Sequence, residues 1–452
     1  MTFDQLKSVL VSSAQEAGLK EYEVYYMEDS SLSASTLGKE LDNVSSSTGG
    51  GISFRCVVNG KMGYASTEVM DEDSMKQLVR SAMENASYIE SEDPAIIFKG
   101  SDSYPEYERE AFELPAVSEL RDTALEISAR VFDSEKTLPE GVEVDNASSA
   151  AAFAYQTKVS LFNSYGLDLS NSYGMTRVYA EAVLKKGVEK QGAYDLALVK
   201  NGQYPSRIIE KSVKRALEKI GPSLVPSGNY NIIFDANCFK NILGTYMGVF
   251  SAKQAALGLS KLAGKEGQKI AVDFLSIVDD PMYEDNPAKT PFDGEGVATY
   301  RKYVVEKGVL KTLLYDQATA QKAGKKSTGN GKRPGYNSPV SIGPYTVIVE
   351  PGNITLEEMM KKAGSGIFVN MMKGFHAGAD PVSGDFSIES AGLLFEDGKF
   401  TKPVHSFTLA GNFFDLLNQI DAISDTLDFE PSGLSSMACP EVLVMNMPVA
   451  GK

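Results

Sequence analysis

Residues 52–67, ISFRCVVNGKMGYAST, place two strand-like runs on either side of Asn59-Gly60. Both central residues of a two-residue hairpin turn take positive φ, which Asn and Gly tolerate best, so the stretch is expected to fold back on itself. Upstream, Phe3, Leu6, Val9 and Leu10 recur at helical spacing, and Gly18 supplies a stop. Glu23 to Met27 (EVYYM) reads as a strand. Downstream, Asp71 is placed to cap a helix over DEDSMKQLVRSAMENASYI, whose first-turn acids suit the helix dipole. The first hundred residues therefore read helix, strands, hairpin, helix.

Residues 91–115 are rich in Pro, Ser, Asp and Glu and read as a connector. A helix follows over about 117–132, then a strand-rich stretch over 141–200. Two echoes inside it, Asn163-Ser164-Tyr165-Gly166 and Asn171-Ser172-Tyr173-Gly174, are expected to be turns, because Asn, Ser and Gly are turn formers. A helix over 206–220 precedes Pro222 and Pro226, which mark a domain boundary. The expected division is 1–221, with subdomains 1–100 and 115–221 as a finer option, and a larger strand-rich domain over 229–452. The second part begins strand (NYNIIF), helix (about 236–249), then strands, with a hairpin turn at Asp397-Gly398. Shorter helices are expected near 316–323, 356–363 and 412–420. Strands and helices are grouped rather than alternating, which predicts an α+β fold.

The chain has 452 residues, 44 basic and 60 acidic, for a net charge of −16. Such a surface repels phosphate backbones, so direct nucleic-acid binding is not expected. No apolar run reaches the roughly 18 residues of a membrane span, and the N-terminal stretch reads as an amphipathic helix rather than a signal peptide. Cys56, Cys238 and Cys439 are too scattered for a disulfide framework or a zinc knuckle. A cytoplasmic location is the expectation. The chain has only two histidines, His376 and His405, which excludes most zinc sites.

Candidate chemistry is sparse. Gly324-Lys325-Lys326-Ser327 ends like a phosphate loop, but Thr319 stands where that loop needs glycine. The stretch KAGKKSTGNGKRPGYNSP is basic and glycine-rich within an acidic protein. It is read as a surface loop, or as a lid or cleft element presenting Lys325, Lys326, Lys332 and Arg333. His405 lies in an alternating run and reads as a strand residue. His376 shares GFHAGADPVSGDFS with Asp380 and Asp385, acids able to orient an imidazole; it is the alternative catalytic or cleft candidate. Asp293 and Glu295 in PFDGEG lack the acid spacing of a calcium loop and read as a turn.

Taken in order, IVDDP (277–281), PFDGEG (291–296), the Gly308 turn, YDQATAQKAGKKSTGNGKR, GFHAGADPVSGDFSIESAGLLFEDGKF and the closing MPVAG resemble the TldD/PmbA proteins, which also carry the name modulator of DNA gyrase. The resemblance covers nearly the whole chain and is strongest after Asn229. It implies one of two branches. TldD-like members are zinc metallopeptidases with a His-Glu-x-x-x-His helix and a later cysteine ligand. PmbA-like members, also called TldE, lack those ligands and pair with the first kind to degrade small or unfolded peptides.

This chain is similar to the second branch. In ILGTYMGVFS (242–251), Gly244, Thr245 and Val249 fall where His, Glu and His would be. Glycine and valine offer zinc no lone pair, and threonine does not replace glutamate as a base. Cys439 is read as lying too far downstream to match the family's cysteine ligand. The resemblance thus implies no metal or cofactor in this chain and zinc in a TldD-like partner, with peptides as substrates. The alternatives are peptide hydrolysis by this chain itself through His376, and a peptide-binding homodimer.

Overall fold

The structure, a computed structural model, describes residues 1–108 and 111–452. Its first half is built on one antiparallel sheet in the order Lys61–Thr67, Glu40–Val58, Tyr22–Leu37, Ser149–Asn163, Asp168–Lys186, with Glu143–Val144 and Glu189–Leu198 both paired to the last strand. The Asn59-Gly60 turn forms as expected, with φ of 51° and 75°. Segments on both sides of the 91–115 connector thus enter a single sheet. EVYYM is only the start of a strand that runs to Leu37. Its second half, EDSSLSASTL, is polar and Ser-rich, and becomes a strand because it is paired on both sides.

Helices Phe3–Glu16 and Glu72–Ala86 cover the hairpin end, burying Leu6, Leu10, Met75, Leu78 and Val79 against Ile52 and Phe54. Asp71 caps the second helix by accepting from the Ser74 N–H at 2.8 Å. A Cβ at Gly63 would lie 2.0 Å from the carbonyl oxygen of Ala82, so glycine lets this helix approach the strand. Gly63→Ala is expected to destabilise the protein by about 1–3 kcal/mol through overpacking. An unchanged urea midpoint would show that the helix moves off without cost. Helices Val117–Asp133 and Arg207–Leu217 cover the other end with Leu120, Ile127, Val131, Ile208 and Val213.

One expected turn is not a turn. Asn163–Gly166 ends a strand, with Gly166 at φ 87°, but Asn171–Gly174 lies inside Asp168–Lys186. Asn171 donates to the Lys289 carbonyl at 2.9 Å and accepts from the Tyr107 hydroxyl at 2.7 Å. Gly174 leaves room for the Phe112 ring, 2.1 Å from where a Cβ would stand. Asn and Gly here serve contacts between segments.

Among the described residues the second half holds a two-stranded pair, Gly331–Lys332 with Ser341–Ile342, and two six-stranded sheets. In one, Lys399–Asn412, Asp385–Glu396, Ser365–Lys373, Gly228–Phe234 and Val442–Ala450 pair in that order, and Thr408 and Leu409 pair back to Ala450 and Val449, closing a ring. The other runs Val309–Leu310, Lys302–Glu306, Ile277–Asp279, Thr346–Val349, Ser436–Cys439, Asp428–Glu430. Helix Ala236–Tyr246 packs between strands of the two sheets and continues as a tighter 3₁₀ turn, Met247–Phe250. Phe239, Ile242, Leu243, Tyr246 and Phe250 join it to the main core. The architecture is α+β. Among the described residues, no helix is long and apolar enough to cross a membrane.

Candidate functional site: an open-edged cleft beside a ligand-free helix

A cleft of about 910 Å³ separates the two halves. One wall is strand Glu189–Leu198 with helix Arg207–Leu217; the other includes Asp428–Glu430, Phe368 and Phe400, with Asp235 and Ala236 at the start of the ligand-free helix. Both strands named are sheet edges. The Val199 N–H donates to the Thr176 carbonyl at 2.8 Å, and the Gly192 carbonyl accepts from Lys219 Nζ at 2.9 Å. Odd-numbered residues of this strand therefore face their neighbour. Tyr194, Leu196 and Leu198 turn their N–H and C=O toward the free side, because direction alternates along a strand.

The rim of the cleft is charged and the floor partly apolar. Arg177 pairs with Glu430 at 2.5 Å and Lys240 with Asp428 at 2.7 Å. Arg207, Lys211 and Lys214 line the helical wall. Asp235 caps the ligand-free helix by accepting from the Asn237 N–H at 2.7 Å. Burial pushes its carboxyl pKa up, against the nearby Arg215. A cleft with free backbone donors and acceptors and mixed side chains suits an extended chain of loose sequence.

Gly244 and Thr245 lie on the outer side of the helix, and the Thr245 hydroxyl donates to the Asn241 carbonyl at 2.7 Å. Val249 is 2% exposed and belongs to the main core. Cys439 is buried, and burial pushes its thiol up to about 12. These residues do not fit a zinc ion: two carry no donor, one hydroxyl is engaged, and the thiol is held protonated. Among the described residues, no three His, Cys, Asp or Glu side chains group as a metal site.

The other sequence candidates fall elsewhere. His376 sits exposed in the short helix Phe375–Gly378, with no hydrogen bond to Asp380 or Asp385. Asp380 accepts from the Val382 N–H at 2.9 Å, and Asp385 accepts from Asn412 Nδ2 at 2.7 Å. Loop hydrogen bonds of this kind hold both carboxyls below their usual range. His405 lies in a strand, its Nδ1 2.8 Å from the Ser406 hydroxyl.

The basic stretch 324–333 divides in two. Lys325 pairs with Glu266 over the Tyr315 ring, and Lys326 is exposed. Lys332 is half-buried and Arg333 is buried. For Arg333 this corrects the reading as a lid residue, since its guanidinium meets Glu23 in the interior. Lys332 Nζ donates to the carbonyls of Pro344 at 2.7 Å and Leu434 at 3.0 Å, and to the Ser435 hydroxyl. Burial pushes its ammonium down to about 8, against the Asp279 charge. A lowered lysine pKa adds stability above its unfolded value of about 10.4, and that stability is lost as pH falls through about 8. Between those limits, wild type should gain thermal stability with rising pH relative to Lys332→Met. Parallel melting curves from pH 7.5 to 10.5 would contradict this.

Arg333 enters a buried ionic junction between the halves. Glu23 accepts from Arg55 Nε at 3.1 Å, Arg55 Nη2 at 3.0 Å, and Arg333 Nη2. Arg55 Nη1 reaches Glu295 at 3.6 Å. Burial opposes the Glu23 charge, yet Arg55 and Arg333 hold its pKa below the usual range. Asp293 accepts the N–H groups of Glu295 (2.9 Å), Val297 (3.0 Å) and Gly331 (2.9 Å), so its oxygens are engaged. Asp279 binds Lys302 at 3.1 Å, Asn330 at 2.7 Å and the Tyr345 N–H at 2.8 Å. IVDDP, PFDGEG and GNGKR thus converge here. Glu23 and Arg55 were passed over in the sequence; their signal is a lone charge in each of two otherwise apolar strand runs.

Models of the PmbA/TldA metallopeptidase family match in order: domain 1 over 22–86, the central domain over 111–220, and the C-terminal domain over 227–451. The chain belongs to the PmbA/TldD family. Metalloprotease PmbA of Escherichia coli O157:H7 is 25% identical, over 95% of this chain and 92% of its own length. The PmbA homolog of Haemophilus influenzae is also 25% identical, over 99% and 96%. A Thermotoga maritima structure whose name links it to modulation of DNA gyrase is 28% identical, with a TM-score of 0.87 over 99% of this chain and 100% of that one. TldE from Thermococcus kodakarensis shares the fold at 23% identity, with a TM-score of 0.87 over 99% and 100%. The family models and these curated relatives carry metallopeptidase or metalloprotease in their names. This chain itself carries no metal ligands at 244, 245 and 249.

Proposed function

We propose that this PmbA/TldD-family chain is the non-zinc subunit of a two-chain peptidase. It holds extended segments of small or unfolded peptides in the 910 Å³ cleft, while a zinc-bearing TldD-like partner cuts them. The observation that carries this reading is a helix whose positions Gly244 and Thr245, with Val249 just beyond it, offer no metal ligand, and whose N-terminal end, Asp235 and Ala236, borders a cleft walled by the free edge of Glu189–Leu198. Backbone pairing at such an edge accepts many sequences, which suits general peptide clearance. The metal and the water it activates belong to the partner, whose helix would carry the histidines and the general base.

The test is to purify this chain with a histidine-motif partner of the family. The expected result is a stable complex that cleaves unfolded peptides, is silenced by chelator, and has activity absent from either chain alone. His376→Ala in that complex should leave cleavage unchanged, since His376 is exposed and joins neither Asp380 nor Asp385. Chelator-resistant cleavage by this chain alone, abolished by His376→Ala, would replace the proposal with hydrolysis centred on that histidine.

A further inference from the structure

The buried junction leaves one of its cations underserved. Arg333 is 2% exposed, yet only its Nη2 meets a carboxylate, that of Glu23, which Arg55 shares. Its Nε and Nη1 are buried and make no hydrogen bond among the described residues. The Tyr25 ring, 4.7 Å from the guanidinium carbon, offsets part of the charge but offers those N–H groups no lone pair. Burial, and then the Arg55 charge, lower the Arg333 pKa despite Glu23. A buried donor without a partner is costly, and a buried charge that is poorly matched is more so.

Arg333 lines a cavity of about 30 Å³ between the two halves. Tyr25, Val159 and Tyr173 reach it from strands of the first sheet, and Phe292, Lys332 and Tyr345 from the second half. Lys332 spends its N–H groups on Pro344, Leu434 and Ser435, so it gives this space charge rather than a hydrogen bond. One acid lines it too. Asp293 turns its oxygens to the N–H groups of Glu295, Val297 and Gly331, and burial, with the Glu295 charge, raises its pKa, so it opposes the two cations only weakly.

A space of this size admits one or two water-sized bodies. Water would meet the two donors and leave the charge unmatched; a small anion meets both. We propose that the cavity binds a single halide-sized anion, such as chloride, on Arg333 Nε and Nη1, and that this anion helps hold the two halves together. Its walls come from both halves, so binding favours the closed junction over any opened or unfolded form. The peptide cleft shares none of the cavity's lining residues, and this inference does not rest on the peptidase reading.

Bromide is the probe. Crystals of the full chain soaked in sodium bromide, measured at the bromine absorption edge, should show an anomalous peak in hydrogen-bonding contact with Arg333 Nε or Nη1. In solution, sodium chloride should raise resistance to urea over sodium gluconate at the same total salt of about 0.1 M, since screening is then equal and only the smaller anion fits. Each tenfold rise in chloride above its dissociation constant should raise the folded-to-unfolded ratio about tenfold. Arg333→Met should abolish both signals. Val159→Leu adds a methylene to the cavity wall with every charge in place, and should raise the anion's dissociation constant at least about tenfold. Water alone beside Arg333, equal stability in chloride and gluconate, or a chloride dependence unchanged in either variant would each overturn the proposal. The wild-type measurements decide the matter if Arg333→Met does not fold.

Discussion

Glu23→Ala is expected to cost the fold about 3–5 kcal/mol, the range found when one partner of a buried ion pair is removed. Glu23 is fully buried, and among the described residues its carboxylate is the only group that pairs Arg55 with Arg333 across the two halves. Without it, two guanidinium groups face each other in the interior. Arg55 keeps a 3.6 Å contact to Glu295, but Arg333 keeps only its position over the Tyr25 ring, 4.7 Å from the centroid. Arg333 Nε and Nη1 already make no hydrogen bond among the described residues. Arg333→Met should therefore cost less than Glu23→Ala, because it removes unpaired donors together with the charge. Urea unfolding of both variants checks the order. A loss below about 1 kcal/mol for Glu23→Ala would show that water or a rearranged acid takes over its role.

Leu196→Pro should reduce peptide cleavage by the assembled complex at least about tenfold, equivalent to about 1.4 kcal/mol of lost transition-state stabilisation. Leu196 is an outward residue of the edge strand, and its N–H makes no hydrogen bond within the described chain. Proline is tolerated on an edge whose N–H faces solvent, so the fold should survive. What disappears is one donor to an incoming backbone, and the pyrrolidine ring blocks close approach. Leu196→Ala keeps the donor and serves as the control; it should lose much less. Full activity in Leu196→Pro, with the complex intact, would place the peptide elsewhere.

The local elements were legible where one segment carries its own signal. The Asn59-Gly60 turn, the Asp71 cap, the helix over 117–133 and the Asp397-Gly398 turn are fixed by residues close in sequence. The polar strand from Glu28 to Leu37 was not legible, since its extended form comes from two neighbours rather than from alternation. Asn171–Gly174 has the composition of a turn but is a strand, because Phe112, Lys289 and Tyr107 claim its groups. At the site, the chemistry of Gly244, Thr245 and Val249 could be read directly, since a missing donor is a property of the residue. Arg333 could not: a basic residue in a Gly-rich run looks solvated until Glu23, 310 positions away, is seen beside it.

The sequence by itself determined what positions 244, 245 and 249 offer a metal. Gly244 and Val249 carry no side-chain donor and Thr245 only a hydroxyl, because ligand chemistry belongs to residue type. It also determined the grouped α+β order and the family resemblance. Only the tertiary structure decided where the surfaces are. The free edge at Leu196 exists because a sheet must end somewhere, and which strand ends it depends on pairings between segments up to a hundred or more residues apart. The ionic junction was decided in the same way: its charges are stable in the interior only because the fold brings opposite signs together from both halves of the chain.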